Sequence, residues 1–211
     1  MPVHNADIAA IFTEIAELLE IQGANPFRIR AYHNAAITIG EFGRDLPALI
    51  RKFHLAKLAA AGDWHGIQKD EATRGAIPAD IKTSIGLDPI TDQPINPSTS
   101  QPSVILWGTG SPRREFLHVD DLADACLFLM NHYDESEPIN IGWGKDQTIR
   151  ELAQTISDVV GYQGPIKWDF DKPDGTPRKL LDVSRLTEKG WQAKISLEEG
   201  VREVYRWYLG K

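Results

Sequence analysis

The sequence predicts an α/β fold preceded by a small helical segment, and three observations predict it. Apolar residues recur at helical spacing through residues 1–61. Short apolar runs alternate with amphipathic stretches through 104–211. A segment dense in glycine and proline, 62–103, separates the two.

Taken in order, Asn5 can cap a first helix in which Ile8, Ile11, Phe12, Ile15, Leu18 and Leu19 share one face, and Gly23 supplies its stop. Asn25-Pro26 opens a second helix carrying Phe27, Ala31, Ala35, Ala36 and Ile39, closed by Gly40 and Gly43. Asp45 can cap a third, with Leu46, Leu49, Ile50 and Phe53 as its buried stripe. Glycines and prolines interrupt every periodic run between 62 and 103, which reads as a loop-rich excursion with a short helix near Ala79–Ser84. Val104-Ile105-Leu106-Trp107 is a strand ended by Gly108-Thr109-Gly110, and Glu115 to Val119 is a further extended piece. Asp120 or Asp121 then caps a helix bearing Leu122, Ala125, Cys126, Phe128 and Leu129. Pro138 to Gly142 reads as a strand, Thr148 as the cap of a helix through Val160, Ile166 to Trp168 as a strand, and Ser196 as the start of a last helix.

Composition narrows the function classes. Of 211 residues, 42% are hydrophobic and 25% charged, ordinary for a globular protein, and no apolar run nears the ~20 residues that span a bilayer. No membrane partner is expected. The single cysteine, Cys126, rules out a disulfide framework and an all-cysteine metal site, and no metal site is assigned. With no leader-like N-terminus, the expected location is cytoplasmic. A formal net charge of −7 disfavours a partner held by a DNA backbone.

From Leu46 onward the chain resembles the C-terminal half of the GDP-L-fucose synthase family, within the extended short-chain dehydrogenases/reductases. The segments that carry the likeness are Leu46 to His54, Trp107 to Asp121, Ile139 to Gly142, Lys172 to Asp182, and Gly190-Trp191. The resemblance implies the partial C-terminal substrate-binding domain of such an enzyme. It further implies NADP as the family's cofactor and a GDP-sugar as ligand. Lys52, Trp107, Arg114 and Asp174 stand at positions that line the family's GDP-sugar site. Their chemistry suits the role: Arg114 offers a planar fork for phosphate, Lys52 a point charge, Trp107 a stacking wall and Asp174 an acceptor for guanine N–H groups. Three of them have a plainer reading as well: Trp107 as core, Arg114 as a solvated loop residue, Asp174-Gly175 as an ordinary turn.

The groups that run the family's chemistry do not occur in these 211 residues. No Gly-rich dinucleotide fingerprint is found, and Gly108-Thr109-Gly110 continues as Ser111-Pro112-Arg113 instead. The residues four after Tyr32, Tyr133, Tyr162 and Tyr205 are Ala36, Glu137, Ile166 and Leu209, so no Tyr-x-x-x-Lys pair exists. The chain alone is therefore expected to bind no cofactor and to turn over no substrate, and no catalytic residue is assigned. Residues 1–45 are similar instead to the helical N-terminal domain of X-family DNA polymerases, through Ile8 to Leu19 and Gly23 to Tyr32. The segment carries six acids (Asp7, Glu14, Glu17, Glu20, Glu41, Asp45) against Arg28, Arg30 and Arg44, net −3, and no lysine precedes Lys52. The expected organisation is thus 1–45, helical and polymerase-like, joined to 46–211. A chimeric or truncated product is the first reading, with self-association through an uncovered face as a further expectation.

Overall fold

The structure, a computed structural model, describes residues 5–23, 26, 29, 30, 33, 45–95 and 101–210. In chain order the elements are α1 (Asn5–Ile21), α2 (Asp45–Ala60), α3 (Trp64–Arg74), α4 (Ala79–Ser84), β1 (Val104–Trp107) and β2 (Arg113–Glu115). There follow α5 (Val119–His132), β3 (Asp146–Thr148), α6 (Ile149–Val160), β4 (Ile166–Asp169), β5 (Arg178–Lys179), α7 (Ser184–Glu188) and α8 (Leu197–Tyr208). Most of the expected second helix lies outside the described residues. Among the described residues no helix is long and apolar enough to cross a membrane.

The chain divides into two units. One comprises residues up to 46 with Glu115–Lys145 and Leu180–Leu197. Its core joins Ala16 of α1 to Leu117, Leu122, Ala125, Cys126, Leu186 and Trp191, with Ile15 and Leu19 packed against them. Leu18, expected on the apolar face of α1 with Ile15 and Leu19, is 58% exposed, and Ala16 is wholly buried. A small side chain lets the helix approach closely, which a search for large apolar residues overlooks. Asp121 is buried and accepts the amides of Lys194 and Ile195 at 3.1 and 2.8 Å, so it ties α5 to the following chain. The cap of α5 is His118, whose ring accepts the Asp120 amide, rather than Asp120 or Asp121. Burial pushes the Cys126 thiol up to about 11, as for an inert core residue.

The other unit comprises Pro47–Arg114, Asp146–Lys179 and the chain from Glu198. Its core is built by Ile50, Phe53, Leu55 and Ala56 of α2, Val104 and Leu106 of β1, Leu152, Ile156 and Val160 of α6, and Val201 of α8, all buried. Each large apolar side chain withdrawn from water contributes about 1.5–3 kcal/mol. Phe53 meets Tyr162 edge-on at 5.9 Å, and the Tyr162 hydroxyl donates to the Pro102 carbonyl at 3.0 Å. β1 and β4 pair in parallel, Val104 opposite Ile166 and Trp107 opposite Asp169. A second sheet runs β3-β2-β5, with β2 and β5 parallel.

Three sequence expectations are corrected here. Residues 64–74, placed in the loop-rich excursion, form helix α3, capped by Asp63, whose side chain accepts the Gly66 amide at 2.8 Å. Only Ile67 and Asp70 of α3 are buried, so its inward stripe holds a carboxylate and shows no apolar period. The expected strand at Pro138 to Gly142 has no ladder. Asn140 donates instead to the Asp182 carbonyl at 3.0 Å, and Glu115 accepts the Gly144 amide at 2.5 Å. The extended piece given as Glu115 to Val119 is a strand only over Arg113–Glu115.

Candidate functional site

Strand β1 alternates buried and exposed residues, so its pleat turns Val104 and Leu106 inward and Ile105 and Trp107 outward. Trp107 is 66% exposed, which removes the reading of it as core. Lys172 stands over its ring, with Nζ 5.4 Å from the ring centre. Lys52, Ser103, Ile105, Trp107, Asp169 and Lys172 line one groove of about 320 Å³. That volume lies at the small end of the range for small-molecule sites.

Immediately after Trp107 the chain turns through Gly108 and Gly110, both with positive φ (73° and 74°). The turn is pinned from three sides. Asp174 accepts the Thr109 amide at 2.9 Å and the Thr109 hydroxyl at 2.6 Å. Arg150 donates to the Thr109 carbonyl at 2.5 Å while its guanidinium lies 4.4 Å from the Trp168 ring centre. The Trp168 ring fills the space a side chain at Gly110 would need. The Thr109 hydroxyl and amide hold the Asp174 carboxyl below the usual carboxylate range.

Arg114 follows on β2. One guanidinium nitrogen donates to the Arg113 carbonyl at 2.7 Å, and the other lies 3.1 Å from where a side chain at position 175 would begin. Gly175 therefore leaves room for the guanidinium beside the Asp174 loop. The structure brings Trp107 and Lys52 into one groove. It sets Asp174 and Arg114 at the two ends of the turn that leaves it. Asp174 meets any ligand with both oxygens already accepting from Thr109, and a carboxylate with about four lone-pair sites retains acceptor capacity.

Several residues of this region carried no signal in the sequence. Lys172 and Lys179 lie in the matched Lys172 to Asp182 segment with no role assigned, and the ladder places Lys179 directly opposite Arg114. Asp146 bridges Arg113 and Arg178 at 2.9 and 2.5 Å, and those arginines hold its carboxyl low. Register and bridging depend on residues 32 to 65 apart in sequence, which spacing alone does not reveal.

The residues present do not fit a dinucleotide pyrophosphate at the glycine turn. The Asp174 carboxylate lies against Gly108, an anion where an anion would have to enter. The nearest helix N-terminus, that of α6, already donates its Ile149 and Arg150 amides to the carbonyls of Pro112 and Gly110, both at 3.0 Å.

Residues 90–142 match the NAD dependent epimerase/dehydratase family, and residues 3–61 match the helix-hairpin-helix domain. The chain is 44% identical over 164 residues to the probable GDP-L-fucose synthase 1 of Oryza sativa subsp. japonica, covering 78% of this chain and 38% of that protein. Identity is 58% over 106 residues with GDP-L-fucose synthase 1 of Arabidopsis thaliana, covering 50% of this chain and 33% of that one. Among solved structures, a GDP-D-glycero-L-gluco-heptose synthase from Campylobacter jejuni, obtained in the presence of NADPH, superposes with a TM-score of 0.60 at 35% identity. That match covers 81% of this chain and 48% of that one. The chain thus spans a third to about half the length of these relatives.

Proposed function

We propose that residues 46–211 correspond to the C-terminal, substrate-binding part of a GDP-L-fucose synthase and bind a GDP-sugar, a reading supported by 44% identity over 164 residues with a probable GDP-L-fucose synthase and by the likeness to a solved GDP-heptose synthase. The observation that carries the reading is the meeting of two segments 65 residues apart. The Trp107 to Arg114 turn and the Lys172 to Lys179 segment are joined by Asp174 on Thr109 and by Arg114 against Gly175. Together they present an aromatic wall, a carboxylate and a group of cations. These are the groups that a base and a diphosphate require.

Isothermal titration with GDP-L-fucose, alongside thermal unfolding at saturating ligand, tests the proposal. A binding heat and a raised Tm are expected. Replacing Trp107 with alanine should weaken binding by about tenfold through loss of stacking, with the fold retained because the side chain is exposed. No heat and an unchanged Tm at saturation would overturn the reading.

The four site residues are proposed as ligand contacts only, and NADP chemistry is assigned to the family rather than to residues 1–211 by themselves. Consumption of NADPH by the purified chain with GDP-4-keto-6-deoxymannose would refute that assignment. The proposed location is the cytoplasm.

The match of residues 3–61 to the helix-hairpin-helix domain favours a second reading, a DNA-end-binding module. It requires salt-dependent affinity for gapped DNA that drops when Arg28 and Arg30 become alanine. Fluorescence anisotropy across a salt series measures this directly.

A further inference from the structure

We infer that Asp146 is a positioning residue for the proposed GDP-sugar site, clamping β2 to β5 so that Arg114 and Lys179 are held side by side. The inference rests on the GDP-sugar reading and names a residue outside the contacts proposed there.

The register sets Arg113 opposite Arg178 and Arg114 opposite Lys179. Partners in a ladder share a face and successive residues alternate faces, so the two arginines form one cationic pair and Arg114 with Lys179 the other. Four cations across two short strands repel one another, and β5 is only two residues long. Asp146 offsets this on one face. One carboxylate oxygen takes Arg113 Nε at 2.9 Å, the other takes Arg178 Nε at 2.5 Å, and the side chain is only 6% exposed. The Asp146 carbonyl accepts a second bond from Arg113 at 3.0 Å. Glu151, 3.9 Å from Arg113, is a second carboxylate near this pair and is itself 61% exposed. With one face neutralised and bridged, the opposite face is left to Arg114 and Lys179, beside the Asp174-Gly175 turn. A diphosphate fits there because its oxygens need two cations at fixed spacing.

Charge and geometry predict opposite signs for Asp146→Asn. Removing a negative charge near the site strengthens diphosphate binding if only the field matters. Releasing the clamp weakens it. Titration of GDP into the wild type and the variant at one ionic strength should show affinity reduced by about tenfold in the variant, the loss of one well-placed charge-assisted contact. The double variant Asp146→Asn/Arg178→Gln keeps the wild-type net charge and should lose affinity to a similar degree.

Hydrogen exchange at the Arg113 amide, which bonds the Pro177 carbonyl at 2.8 Å across the ladder, gives a readout that needs no ligand. Exchange should quicken in both variants while Tm changes little. GDP binding by the variants equal to or tighter than wild type, or unchanged exchange at Arg113, overturns the inference. A wild type that fails to bind GDP while exchange at Arg113 quickens in the variants would sink the GDP-sugar reading and keep only the clamp.

Discussion

Asp174 was assigned from the sequence as an acceptor for guanine, and the structure gives it prior work. Both oxygens hold the turn that follows Trp107. Gly108 makes this possible, since its φ of 73° suits glycine and any side chain there would run into the Asp174 carboxylate. Gly108→Ala should therefore destabilise by at least the ~1–2 kcal/mol of a left-handed non-glycine residue, measurable by chemical denaturation, and should also weaken GDP binding. A variant with wild-type stability and affinity would show that the turn tolerates a side chain and that Asp174 does not depend on it. Lys52, Trp107, Arg114 and Asp174 were named from the segments that contain them. Lys172, Lys179, Asp146 and Arg150 were not, because their roles come from strand register and from contacts across the chain. Nothing in the immediate neighbourhood of any of these residues encodes such a contact.

Elements whose signals are local were legible. Thr148 was read as a cap, and it forms a capping box: its hydroxyl accepts the Glu151 amide at 3.0 Å, while the Glu151 carboxylate accepts the Thr148 amide at 2.7 Å. Thr148→Ala should cost about 1 kcal/mol in a denaturant titration, and a cost near zero would mean the box contributes nothing in solution. The short helix at Ala79–Ser84 and the β1 strand were likewise found at their expected residues. Helix α3 was missed because its second buried position is Asp70, bound by Arg51 at 2.7 Å and by Arg74 at 3.3 Å. An ion pair can fill a core position, but no apolar period announces it. Helix α1 packs through Ile15 and Leu19 of its expected face, while Leu18 points outward and Ala16, which the apolar pattern does not mark, is wholly buried. Ala16→Asp would place a carboxylate in the cluster that shields Cys126. Labelling of that single thiol by a disulfide reagent should accelerate on the order of tenfold, since access limits its reaction. Labelling at the wild-type rate would show that α1 does not cover Cys126.

For the molecule as a whole, pH sensitivity follows from the helices that enclose His54. From α8, the Tyr205 hydroxyl lies 3.0 Å from the imidazole, and the Tyr208 ring packs edge-on at 5.2 Å. Burial lowers the His54 pKa, opposed by Asp70 and Asp63 and assisted by Lys57 and Arg74. The unfolded chain then takes up the proton first as pH falls below the ordinary value of 6.5, so this contribution to stability is complete above that pH and is lost on acidification through the folded pKa. Tm should fall over that interval, and His54→Gln should flatten the fall. An equal slope in the variant would assign the dependence to other groups. Self-association, expected from an uncovered face, is decided by size-exclusion chromatography with light scattering: a single monomer mass across protein concentrations would exclude it.

The sequence by itself determined the α/β class, the helical N-terminal segment, the Thr148 cap and the glycine turn after Trp107, and the family whose substrate side the chain resembles. These follow from periodicity, local hydrogen bonding and long contiguous matches, all of which lie along the chain. The tertiary structure decided which small residue of α1 faces inward, which carboxylate fills the core at Asp70, and how Asp146, Arg114 and Lys179 are arranged around the turn after Trp107. Those outcomes depend on strand register and on electrostatic pairing across dozens of residues, where closeness in space has no counterpart in the order of the chain.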